Sequence, residues 1–226
     1  DSISDCLSTT PVWAKENLLK YGTESEKIHF VGNVMIDTLY QNLNRCLKPD
    51  FWDEYPLETQ NYIVLTLHRP SNVDEETSLQ KLLLGIDALA NDKKVIFPIH
   101  PRTKAILGEQ NLNLKNIIFV DPQGYLSFMY LIKNAFAVIT DSGGISEETT
   151  VLGIPCFTMR TTTERPETIS IGTNNLVGIS IENLVTIYTK FLPEGLNKSG
   201  IPELWDGKAS ERIINILLNN YQEMLK

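Results

Sequence analysis

Histidine and cysteine are both scarce in these 226 residues, three of each. Cys6, Cys46 and Cys156 are odd in number and widely spaced. That excludes a disulfide framework or a Cys-rich zinc pattern, and a reducing cytoplasm fits best. Basic residues are also short, 20 against 28 acidic, and the formal charge of -8 argues against broad nucleic-acid binding. No apolar run approaches the roughly 20 residues of a membrane-spanning helix, so no membrane role is expected. The start carries no signal-peptide pattern. The chain opens on Asp1 rather than methionine, so an upstream portion is expected to be missing. No internal repeat, G-x-x-x-x-G-K-[ST] loop, metal-ligand cluster, Ser/His/Asp order or acid/base carboxylate pair stands out. Neither a metal nor a cofactor is expected.

What is present is alternation. Thr10-Pro11 reads as the cap and first turn of a helix with Trp13, Leu18 and Leu19 on its apolar side, ended by Gly22. Residues 28–31 form a short strand, and Met35, Ile36, Leu39, Leu43 and Leu47 recur at helical spacing. Lys48-Pro49-Asp50 breaks that helix and marks a domain boundary, with residues 1–48 before it and 49–226 after. From there, strands at 62–66, 95–99, 117–120, 135–139, 155–159 and 175–177 alternate with helices, and an amphipathic helix closes the chain at 209–225. Such alternation predicts an α/β fold, a Rossmann-like, doubly wound parallel sheet covered on both faces. Ligands of these sheets bind beyond the carboxyl ends of the strands. His68, Arg69, His100, Arg102, Ser142, Glu148, Arg160 and Arg165 all follow strands and are drawn to that rim.

The organising stretch is Thr140-Asp141-Ser142-Gly143-Gly144-Ile145-Ser146-Glu147-Glu148, on a strand-to-helix turn. Ser142, Gly143 and Gly144 let backbone approach a ligand, and the first N–H groups of the helix suit a phosphate. Glu148, about a turn into the helix, can accept from sugar hydroxyls. A tight turn with a helix-capping serine accounts for Ser-Gly-Gly alone equally well. His68-Arg69 offers a proton carrier beside a cationic fork, or else a loop histidine bonded to backbone. His100-Pro101-Arg102 repeats that arrangement one strand later, while His29 is given no role. Tyr125 or Phe128 can stack on a nucleobase, although core packing is the commoner use of aromatics at this spacing. Arg165, in Thr161-Thr162-Thr163-Glu164-Arg165-Pro166-Glu167, can reach a diphosphate or simply be solvated. Glu147 and Glu148, being adjacent, point to different sides of a helix and are not a catalytic pair.

Leu65-Thr66-Leu67-His68-Arg69, Pro98-Ile99-His100-Pro101-Arg102, Asp141-Ser142-Gly143-Gly144 with Glu147-Glu148, and Thr162-Thr163-Glu164-Arg165-Pro166-Glu167 occur in this order. Together with Val31-Gly32-Asn33 and Asp37, they resemble the non-hydrolysing UDP-N-acetylglucosamine 2-epimerases over residues 4–212. The resemblance implies the C-terminal half of a GT-B two-domain architecture, in which residues 49–226 are the UDP-binding domain. Residues 1–48 are then the end of an N-terminal domain and the crossover. It implies interconversion of UDP-N-acetylglucosamine and UDP-N-acetylmannosamine by elimination and re-addition of UDP. It implies His68 as catalytic, Ser142, Gly143 and Gly144 on the diphosphate, Glu148 on the ribose, Phe128 on uracil and Arg165 near the phosphates. Arg69, His100 and Arg102 complete the expected UDP-binding set. Ser71 stands where many members carry a glutamate after the His-Arg pair. The catalytic carboxylates of the family lie in the N-terminal domain, which is absent, so this chain is expected to bind UDP without epimerising. The full-length enzyme is expected as a cytoplasmic homodimer. Beside this reading stand a hydrolysing relative, a GT-B glycosyltransferase that needs an acceptor, and a non-enzymatic nucleotide-sugar binding module.

Overall fold

A computed structural model describes residues 3–107, 112–195 and 199–224. The chain divides into two compact units, Asp1–Asn44 with Ile201–Lys226, and Arg45–Gly200.

The first unit opens with a strand that periodicity missed, β1 (Leu7–Thr9), which pairs in parallel with β2 (Ile28–Phe30). Between them lies α1 (Val12–Lys20). Pro11 holds its N-cap position and no side chain caps it, so Thr10 does not play the expected part. Nor does α1 bury an apolar side: none of its residues is buried, because two three-residue strands offer little apolar face to cover. Asn33 caps α2 (Val34–Asn42), its side chain accepting from the Met35 N–H at 2.9 Å. Apolar spacing ran on to Leu47, but the helix stops at Asn42 and tightens into a 3-10 turn at Leu43–Arg45. Ahead of α2, Gly32 has φ +90°, and a Cβ there would lie 2.1 Å from the Leu204 carbonyl oxygen. Only glycine satisfies both conditions.

The second unit is a single parallel sheet wound with helices. In chain order it comprises β3 (Tyr62–Thr66), α3 (Pro70–Val73), α4 (Glu76–Ala90), β4 (Lys94–Pro98), α5 (Pro101–Leu107), β5 (Ile117–Val120) and α6 (Tyr125–Lys133). There follow β6 (Ala137–Thr140), α7 (Gly143–Leu152), β7 (Cys156–Thr158), α8 (Glu167–Ser170), β8 (Asn174–Leu176) and α9 (Ile181–Glu194). Every pairing is parallel and the spatial order is β5-β4-β3-β6-β7-β8. Tyr62 to Leu65 and all of β6 are buried, as befits central strands covered on both faces. Ile63 and Leu65 join Leu79, Leu83 and Ile86 of α4 and Leu184 and Tyr188 of α9 in one core. Tyr62 turns the other way, its hydroxyl donating to the Leu131 carbonyl of α6 at 2.6 Å. Each fully buried Leu or Ile contributes roughly 1.5–3 kcal/mol. A buried carboxylate fixes the entry to β5: Asp87 accepts from the N–H groups of Lys115, Asn116 and Ile117 at 3.1, 2.7 and 3.1 Å.

The closing helix α10 (Ala209–Met224) belongs with the first unit, whereas the sequence reading ran the second domain through residue 226. That grouping has a local cause. The buried Asp37 carboxylate accepts from the Ala209 and Ser210 N–H groups at 3.0 and 2.6 Å, and from the Ser210 hydroxyl at 2.6 Å. It caps α10 from a helix far away in the chain.

Candidate functional site

Chain order reverses between β3 and β6: β4 and β5 extend one side of β3, while β6, β7 and β8 extend the other. A sheet wound this way opens a crevice at the reversal, beyond the strand ends. His68 and Arg69 leave β3 there, and Asp141 and Ser142 leave the neighbouring β6.

Asp141 closes the floor. Its carboxylate, 0% exposed, accepts from the His68 N–H at 3.2 and 3.1 Å, from the Arg69 N–H at 2.9 Å and from the Asn72 amide at 3.0 Å. The His68 ring lies against it, Nδ1 to Oδ1 at 2.7 Å, and Arg69 Nε donates to the Asp141 carbonyl at 3.2 Å. Thus the His-Arg pair and the Ser-Gly-Gly turn, distant in sequence, are one piece of structure. Neither Asp141 nor Asn72 figured among the expected site residues. A carboxylate closing a buried strand just ahead of Ser-Gly-Gly was the signal for Asp141, and nothing in its sequence context marks Asn72.

Ser142 occupies the N-cap of α7 without capping it, since its side chain makes no cap hydrogen bond. The first N–H groups of α7 therefore have no partner within the helix, and its positive end faces the rim. A Cβ at Gly143 would meet the Arg160 guanidinium at 3.5 Å and the Glu164 carboxylate at 3.9 Å, so a buried cation stands beside the turn. Arg160 donates to Glu164 through both terminal nitrogens, at 2.9 and 2.7 Å. Those bonds, with the nearby Arg69 charge assisting, hold the Glu164 carboxyl down to about 2. Arg165 is half-buried, its Nε donating to the buried Glu147. Glu147 thus aims an arginine, which the sequence did not disclose.

Glu148 lies against α6. It is 5% exposed, and Oε1 accepts from the Tyr125 hydroxyl at 3.1 Å. Burial pushes its carboxyl up to about 7; the Tyr125 bond opposes the rise and the Glu147 charge adds to it. Burial, then Glu148, raises the Tyr125 phenol in turn. Phe128 is half-buried a turn further along α6, and His100 is exposed at the end of β4, beside β3. The side chains of Arg102 and Ser71 lie outside those described. Cys156 is fully buried and burial pushes its thiol up to about 11, which removes it as a nucleophile. Among the described residues no group of three or more His, Cys, Asp or Glu is arranged to hold a metal ion, and no helix is long and apolar enough to cross a membrane.

Comparison with known proteins points to one family. The family model described as UDP-N-acetylglucosamine 2-epimerase matches residues 1–218. The UDP-N-acetylglucosamine 2-epimerase of Methanocaldococcus jannaschii is 41% identical over 96% of this chain, and that of Escherichia coli K12 is 31% identical over 92%. The crystal structure of the Methanocaldococcus jannaschii enzyme in complex with UDP-GlcNAc and UDP superposes with a TM-score of 0.80 at 40% identity, covering 97% of this chain. The Neisseria meningitidis enzyme bound to UDP-GlcNAc gives 0.83 at 29% identity over 96%. This chain spans 62% of the length of the Methanocaldococcus jannaschii protein and 59% of that of Escherichia coli. In the doubly wound sheet, the ordered rim motifs and the matched residues alike, the chain is a member of the UDP-N-acetylglucosamine 2-epimerase family.

Proposed function

We propose that this chain is the UDP-binding portion of a UDP-N-acetylglucosamine 2-epimerase. The observation that carries the reading is the start of α7, whose N-cap side chain makes no cap hydrogen bond, beside the buried Arg160. The helix dipole favours an anion there, and such an anion would share the Arg160 guanidinium with Glu164. Ser142, Gly143 and Gly144 then hold the diphosphate, Arg165 and Arg69 add charge, Glu148 accepts from the ribose and Phe128 borders the uracil. His100 and Arg102 extend the same rim.

In the reaction, the proton at C2 of the sugar is removed while the bond from C1 to the UDP oxygen breaks, leaving a 2-acetamidoglucal. UDP then re-adds to C1, and C2 is protonated from the opposite face. This chain supports the departing UDP: fixed N–H groups and guanidinium charges stabilise the negative charge that develops on the diphosphate. His68 stands at the crevice as the proton-carrying group. A relative from Pseudomonas aeruginosa, 33% identical over 96% of this chain, is named UDP-2,3-diacetamido-2,3-dideoxy-D-glucuronate 2-epimerase. The two names share UDP and position 2 but not the sugar, which supports assigning to this matched portion the UDP and not the sugar's identity. A homodimer in the cytoplasm completes the proposal, the three widely spaced cysteines, odd in number, fitting a reducing compartment.

Calorimetry with UDP tests the site. Gly143 has ordinary van der Waals room for a Cβ, so Gly143→Ala should fold and bind. Gly143→Val should crowd the anion and weaken UDP at least about tenfold, roughly 1.4 kcal/mol, with little change in Tm. Equal affinity in all three proteins would count against the assignment.

A further inference from the structure

We infer that Asp141 is the residue that positions His68, fixing its ring in the Nδ1–H tautomer and leaving Nε2 as the working nitrogen. This rests on the reading of His68 as the proton-carrying group of the proposed reaction.

A carboxylate only accepts, so the 2.7 Å contact between Asp141 Oδ1 and His68 Nδ1 requires the hydrogen on Nδ1. The carboxylate cannot turn away. Oδ2 is held by the N–H groups of His68 and Arg69 and by the Asn72 amide, at 3.1, 2.9 and 3.0 Å. Asn72 is fixed in turn, the same amide nitrogen donating to the Met159 carbonyl at 3.2 Å. The ring itself is 58% exposed, so Nε2 is the nitrogen available to a ligand. When neutral it accepts a proton; when the ring is charged it donates one, and Asp141 compensates the imidazolium. Carboxylates that orient histidines in hydrolytic triads work by the same logic.

The arrangement adds something that a loop tether does not. Asp141 immediately precedes Ser142, so one residue both starts the anion-binding turn and aims the imidazole. The working nitrogen is thereby registered against the start of α7. A purely structural Asp141 needs its bonds to backbone N–H and Asn72, and has no requirement for the ring hydrogen.

Long-range ¹H–¹⁵N correlation spectra of the imidazoles in this 226-residue chain decide the matter. In the wild type, neutral His68 should favour the Nδ1–H form by about tenfold, as a charge-assisted bond implies. In Asp141→Asn the new amide can turn its NH₂ toward the ring and should shift His68 toward Nε2–H, with the backbone fingerprint retained. An Nε2–H form or an even mixture in the wild type would overturn the inference, as would an unchanged tautomer in a folded Asp141→Asn. Should that variant not fold, the wild-type spectrum decides alone. Adding UDP should move the Nε2 resonance. Unmoved ring resonances with the Nδ1–H form intact would overturn the proposed function while sustaining the pairing.

Discussion

Burial brings the Glu148 carboxyl up to about 7, so its charge changes close to neutral pH. The ionised form is the better acceptor for ribose hydroxyls, so UDP affinity should rise as pH increases from 6 to 8, on either side of that value. Glu148→Gln should remove the part of the rise that UDP's own titration does not supply, which calorimetry across that range checks. Stability runs the other way. The folded carboxyl titrates above its ordinary 4.5, so its contribution is complete below 4.5 and is lost as pH rises through about 7. The loss is of order 3 kcal/mol at most, and denaturation midpoints should converge between wild type and variant as pH falls. At this scale the sequence disclosed the residues proposed to meet the ligand more readily than the groups that support them. Ser142, Gly143 and His68 announce themselves through residue type and position after a strand. Tyr125 on Glu148, Glu147 on Arg165 and Asp141 on His68 are long-range contacts, visible only once the sheet is assembled.

Asp37 illustrates the same point for whole elements. It lies in α2, yet its carboxylate satisfies the first N–H groups of α10, 172 residues later. Removing it in Asp37→Ala should cost about 1–3 kcal/mol, a lost cap together with buried donors left unpaired. Amide hydrogen exchange should quicken along α10 and leave β3 to β8 protected. Uniform quickening in both units would refute this local role. Periodicity located β3 and β5 at their observed limits and the remaining central strands to within two residues, because buried parallel strands read as apolar runs bounded by polar loops. It missed β1, whose three residues carry no alternation, and gave α1 an apolar side that the structure leaves uncovered. Spacing records what a helix can bury, and the partner that would cover it lies elsewhere.

For the molecule as a whole, five of the buried carboxylates are engaged in holding other groups. Asp37 caps a helix, Asp87 anchors β5, Asp141 holds His68, Glu147 holds Arg165 and Glu148 meets Tyr125. None of these is a free acid/base pair. The chain should therefore bind UDP yet leave UDP-N-acetylglucosamine unconverted; any interconversion detected by ¹H NMR on prolonged incubation would overturn that.

The crevice joins His68 to Asp141, residues 73 apart, across strands whose connection runs through β4 and β5. A junction of such high contact order carries a large loop-closure cost and is expected to form late. The crevice is consequently a seal on the finished fold, and a nucleotide bound there would hold shut the seam along which the two halves of the sheet would part.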